Sequence, residues 1–161
     1  MTPEELLASA RAIPVPTESA AREYEAKRER LAAEMNRIMG ARPDLTALIG
    51  EGNRPMMEDN HRNHARFIAS LLLNFSPEVL VETVLWVFRA YRAHGFRLAY
   101  WPAQLDTWTE VLKAELTPEA FASVEPVYRW MIVRQPAFAA LSDAALAPPP
   151  PTHERPAAGR G

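Results

Sequence analysis

Four histidines are the side chains of this sequence whose ordinary pKa lies near neutrality, and neutral imidazole is a common metal ligand. His61 and His64 stand three residues apart, a spacing that turns both rings toward one side of a helix. Glu58 lies three residues before His61, in the Glu-x-x-His spacing used by helical di-iron proteins. Such a centre needs a second copy of the motif and further carboxylates on facing helices. No second copy occurs, and neither Glu78 nor Glu82 has a histidine three places on. The weightier reading makes His61 and His64 semi-buried polar residues, hydrogen-bonded to backbone or to acids such as Glu58 and Asp59. His94 precedes Gly95 in the last turn of a helix, where the dipole favours an imidazolium and the ring can meet a free carbonyl. His153 lies in a proline-rich tail and is read as inert.

Other chemistries find little to work with. The chain has no cysteine, which removes disulfide scaffolds, thiolate metal sites and cysteine nucleophiles. Arg89, Arg92 and Arg97 gather near His94, with Arg62, Arg66, Arg129 and Arg134 elsewhere, but no glycine-rich phosphate loop accompanies them. They read as a solvated face paired with acids. Eighteen Lys and Arg against 20 Asp and Glu give a formal charge of −2, so no basic field points to nucleic acid. Trp86, Phe88, Tyr91, Trp101, Trp108, Tyr128 and Trp130 could face a flat ligand, although aromatic residues at helical spacing are usually core. No Ser/His/Asp order or metalloprotease spacing is present, so the chain is read as non-enzymatic. Its apolar runs fall far short of a membrane span and its acidic start is unlike a signal peptide, which makes the cytoplasm the expected location.

The elements that must position these residues are punctuated by proline, tolerated in the first turn of a helix and damaging further in. Thr2-Pro3-Glu4-Glu5 has capping-box spacing and opens a short helix that Pro14 and Pro16 end. Thr17-Glu18 opens a helix to about Met39, with Glu23 and Lys27 as an i,i+4 pair, Gly40 as terminator and a narrow apolar stripe suited to covering another surface. A short turn of helix through Leu45, Leu48 and Ile49 leads to a loop at Gly50–Asn53. Pro55 to about Asn74 carries Met57, His61, His64, Ile68, Leu71 and Phe75 on one stripe. Ser76-Pro77-Glu78 opens a helix to His94 whose two apolar rows, Leu80–Tyr91 and Val79–Ala90, predict a central position. Pro102 to about Leu116 carries Leu105, Trp108 and Leu112. Thr117-Pro118-Glu119 caps the last long element, in which Pro126 predicts a kink or two abutting segments, and Pro136 begins a short helix. From Ala147 the prolines and small polar residues predict disorder. No window alternates with period two, so the fold class is all-α, one domain of about six to seven helices.

The run Tyr91-Arg-Ala-His94-Gly-Phe-Arg-Leu-Ala-Tyr100-Trp101-Pro102-Ala-Gln-Leu105-Asp-Thr-Trp108, with the helix order and the later Thr117-Pro-Glu-Ala-Phe121 to Tyr128 segment, resembles the globin-like superfamily. In layout it is nearest to haem-free members, the phycobiliprotein-like fold and bacterial globin-like sensor domains. The resemblance covers about residues 45 to 135 and rests on layout rather than on one diagnostic motif. It implies a haem globin with His94 as the proximal metal ligand and His64 as a distal group, or a haem-free sensor. Covalent thioether attachment of a bilin is impossible without cysteine. A haem or another tetrapyrrole is thus the cofactor the resemblance would bring, while the residues themselves require none.

The expectations are therefore an N-terminal helical extension over 1–41, a globin-like core over 42–146 and a tail over 147–161. The leading function is a non-enzymatic sensory or regulatory domain binding a small molecule or a signalling partner, with a pocket formed by His61, His64, Trp86, Tyr91, His94 and Trp108. A haem protein using His94 is the alternative. A third reading is a structural module that dimerises through the helix Thr17–Met39. Neither nucleic acid nor membrane is expected as a partner.

Overall fold

The computed structural model describes residues 1–146, and the expected tail at 147–161, with His153, lies outside them. The described residues hold eight helices and no strand: α1 (Pro3–Arg11), α2 (Glu18–Gly40), α3 (Leu45–Ile49), α4 (Arg54–Leu73), α5 (Pro77–Ala93), α6 (Tyr100–Glu115), α7 (Pro118–Val133) and α8 (Gln135–Leu146). The class is all-α, with one helix more than the count expected.

Helix starts follow the local chemistry of the sequence. Thr2, Thr17, Ser76 and Thr117 each accept the backbone N–H three residues on, and Glu5 returns the bond to Thr2, closing a capping box. Gly95 ends α5 as expected. It takes φ +95°, while its own N–H reaches the Arg92 carbonyl and the Phe96 N–H reaches that of Tyr91, a Schellman closure that disfavours a side chain. Gly40 does not act in this way. It is the last residue of α2, and Ala41 caps the helix with ordinary right-handed angles. Nor does Pro126 split its element. α7 runs through it as one helix, leaving the Ala122 carbonyl without the donor that proline lacks.

The centre of the molecule belongs to α2 rather than α5. Ala20, Ala21, Tyr24, Leu31, Ala32, Met35 and Met39 form its buried stripe, and it packs along α4, α6 and α7. Three alanines and two flexible methionines in this stripe let three helices approach one narrow face. Residues 1–41 therefore share one hydrophobic core with residues 42–146, and α2 is no appended cover. The narrow stripe expected to cover another surface is enclosed within the chain, while the outer face of α2 carries ion pairs such as Arg22–Glu18 and Arg37–Glu34.

α5, by contrast, is an edge helix. It packs on α1 and α8, and reaches α6 through Phe88 stacked on Trp101 at 4.6 Å. Only Leu80, Val81 and Phe88 are buried along it, and Trp86 is 61% exposed. Its double apolar row predicts centrality, but one row borders a partly open cavity and part of the other faces solvent. The chain turns from α5 to α6 on two pins: Arg97 N–H donates to the Leu48 carbonyl at 2.9 Å, and Asn53 Nδ2 donates to the carbonyls of Ile49 and His94.

Glu23 and Lys27 make the expected pair at 3.4 Å and also join α2 to the α6–α7 turn. Lys27 Nζ donates to the Glu115 carbonyl, while Thr117 donates to Glu23 from both its N–H and its hydroxyl. Partial burial of the Glu23 carboxyl pushes its pKa up, but the Thr117 bonds outweigh this and hold it below its ordinary value. Thr117→Ala removes the α7 cap and one of these bonds together, and is expected to lower the unfolding free energy by about 1–2 kcal/mol in urea denaturation.

Candidate functional site

Histidines on an apolar stripe must find hydrogen-bond partners once the stripe is buried, and the neighbouring helices supply them. His61, on α4, is fully buried, with Nδ1 2.7 Å from Asn36 Oδ1 and Nε2 3.4 Å from the Tyr100 hydroxyl. Because an amide oxygen only accepts, Nδ1 carries the proton. His64, one turn on, places Nε2 2.8 Å from the Tyr128 hydroxyl of α7, which lies 2.8 Å from the Tyr24 hydroxyl of α2. The ring of Trp108, on α6, lies 4.6 Å from that of His64 at a 34° tilt. Asn60 completes a second cluster, its Oδ1 accepting from Tyr100 at 3.2 Å and from Gln104 Nε2 at 2.8 Å.

Beside these clusters lies a cavity of ≈ 310 Å³, walled by α4, α5, α6, α7 and α8 and partly open to solvent. Phe67, Ile68, Val84, Val87, Phe88, Leu105, Met131 and Phe138 are among its apolar lining residues, with Trp86 at the rim. Asn60, Asn63, His64 and Gln104 bring a row of polar groups to its α4–α6 side, faced by Thr83 and Tyr91 of α5. No Asp, Glu, Lys or Arg lines it.

Three of the six expected pocket residues, His64, Trp86 and Tyr91, border this cavity. His61 and Trp108 sit behind its wall, where Trp108 meets His61 edge-on at 6.3 Å and His64 nearly face-on. His94 does not join them. It caps α5 with an exposed side chain and contributes its backbone carbonyl to Asn53. A haem held in the cavity through His94 therefore does not fit, and the lining offers no cation for its acidic groups. The di-iron spacing is likewise engaged otherwise: Glu58 pairs with Arg54, and the described residues hold no cluster of three His, Asp or Glu suited to a metal. Asn60, Asn63, Gln104 and Tyr24 are site residues sequence reasoning missed, and Tyr128, expected among the aromatics facing a flat ligand, acts through its hydroxyl on His64. Asn60 and Gln104 could have been found as polar residues falling one turn before His64 and Trp108 on otherwise apolar stripes.

Burial holds both histidines neutral. Loss of water is the larger cause for each, followed by the positive charge of Arg62 for His61 and the neighbouring His61 for His64, and each is pushed down from 6.5 to about 3. Burial likewise raises the hydroxyls of Tyr24, Tyr100 and Tyr128 above their ordinary value. Between 6.5 and about 3 the unfolded chain binds more protons than the folded one, so stability falls with falling pH. The slope is expected to reach about 1.4 kcal/mol per pH unit for each histidine. The perturbed carboxylates, Glu23, Glu34, Asp44 and Glu78, all lie below their ordinary values and add to the loss only at lower pH. Urea midpoints measured from neutrality down to about pH 4.5 check this, and a flat profile would contradict it.

Tyr128 is the middle member of the hydroxyl chain and makes two of its bonds, whereas Tyr24 makes one. Tyr128→Phe is accordingly expected to destabilise by about 2–3 kcal/mol and Tyr24→Phe by about 1 kcal/mol, an order that equilibrium unfolding of the two variants measures. Compared with protein-family models, curated proteins and solved structures, the chain finds no match.

Proposed function

We propose that the chain is a non-enzymatic sensory or regulatory domain whose α4–α8 cavity takes a small, largely apolar molecule. The observation that carries this reading is the cavity itself, a partly open cleft of ≈ 310 Å³ with an apolar wall, a short polar row on one side and no charged lining. Ligand pockets of about 300–1,000 Å³ with a few convergent polar groups among apolar side chains are the usual form of a small-molecule site. A core packed for stability alone leaves few voids larger than a water molecule. The clusters that bring His64, Asn60 and Gln104 to the wall also place buried polar groups where a core built only for stability would hold apolar ones. The likeness in layout to haem-free globin-like sensors supports the same role.

Prodan, a neutral naphthyl ketone whose emission shifts to the blue out of water, provides the test. Saturable binding of one prodan per chain with a blue-shifted emission is expected, and Val84→Trp, which fills the void from α5, is expected to abolish it. Emission that stays as in buffer at saturating protein would overturn the reading.

A further inference from the structure

Within the cavity reading just given, on which this step rests, the two histidines are not equivalent. His61 has both ring nitrogens against the protein, Nδ1 donating to Asn36 and Nε2 3.4 Å from the Tyr100 hydroxyl, whose one hydrogen it shares with Asn60 Oδ1. His64 uses only Nε2. Its Nδ1 has no hydrogen-bond partner among the described residues and is not sealed into the core, and the void its ring borders is the cavity.

What that nitrogen offers depends on which atom holds the proton, and the hydroxyl chain decides it. Tyr24 is fully buried and its hydroxyl meets nothing but that of Tyr128. If His64 donated from Nε2 to Tyr128, the Tyr128 hydrogen would turn to Tyr24, and the Tyr24 hydrogen would be stranded in an apolar core. The opposite direction leaves nothing stranded: Tyr24 donates to Tyr128, Tyr128 donates to Nε2, and the imidazole proton resides on Nδ1. Trp108 lies against the ring at 4.6 Å with a 34° tilt.

We propose that His64 is the recognition residue of the cavity, fixed as the Nδ1–H tautomer by the Tyr24–Tyr128 chain and donating to the carbonyl oxygen of a neutral ligand. Neutrality follows from the lining, since a ligand charge would be stripped of water with no counter-charge to meet it. A carbonyl follows from the donor left open. Asn60 Oδ1, which could have received a ligand hydroxyl, is already occupied by Tyr100 and Gln104.

The ring nitrogens can be read directly by isotope-edited NMR on the unliganded protein, with His64 assigned by its loss in His64→Phe. The expected signal is a protonated Nδ1, moving toward protonated Nε2 in Tyr128→Phe, and an Nε2–H tautomer in the wild type overturns the proposal. Binding supplies the second arm. Prodan is expected to bind roughly fivefold to tenfold more tightly than its analogue with propyl in place of the propionyl group. His64→Phe should abolish that preference while still binding the propyl analogue. Should this variant not fold, Tyr128→Phe carries the same expectation. Equal affinity of the wild type for both probes overturns the assignment of His64 and leaves the cavity reading standing, whereas binding of neither overturns the cavity reading and this inference with it.

Discussion

Two buried tyrosines and a half-buried histidine from three helices must satisfy one another, and this requirement fixes much of the molecule. Tyr24 of α2, Tyr128 of α7 and His64 of α4 form a single line of hydrogen bonds, and Trp108 of α6 closes over its end. A hydrogen bond tolerates only a few tenths of an ångström before an orphaned hydroxyl becomes costly. The three helices are therefore held in mutual register more tightly than their apolar contacts alone would hold them. Hydrophobic burial draws α2, α4, α6 and α7 together, and the hydroxyl chain selects among the arrangements that burial permits.

Elements whose cause is local were legible in the sequence. The four Thr and Ser caps, the Thr2–Glu5 box, the Gly95 stop and the Glu23–Lys27 pair depend on residues within one turn of each other. Burial is a property of neighbours, and it was misread where neighbours decide. α5 has the wider apolar face but stands at the edge because that face borders a void. α2 has the narrower face but lies inside because its alanines admit three partners at once. Gly40 ends α2 where expected but without a left-handed turn, because nothing at that point requires a positive φ and the helix closes on Ala41.

The site divides in the same way. His64 and Tyr91 were legible because a histidine and a tyrosine on an apolar stripe stand out against their neighbours. Tyr24 and Tyr128 look like ordinary core aromatics, and nothing in either helix signals that their hydroxyls meet across 104 residues of chain. His94 misled for the opposite reason. Its position beside a glycine corner has a sequence signature, but the end of an edge helix turns its side chain outward, and the cavity lies one turn back, at Tyr91 and Val87.

The edge position of α5 has a thermodynamic consequence. The helix that walls the cavity is tied to elements far from it in sequence, by Arg11 of α1 to Glu78 at one end and by Arg92 to Ser142 and Asp143 of α8 at the other. The hydroxyl chain and the α2 stripe take no part in those ties. Segments with few buried contacts open at lower free energy than the core they rest on. Local opening of α5 therefore costs less than disruption of the hydrogen-bonded interior, which it leaves undisturbed. The Arg11–Glu78 pair that ties its first turn is solvent-exposed, so the free energy of that opening depends on ionic strength.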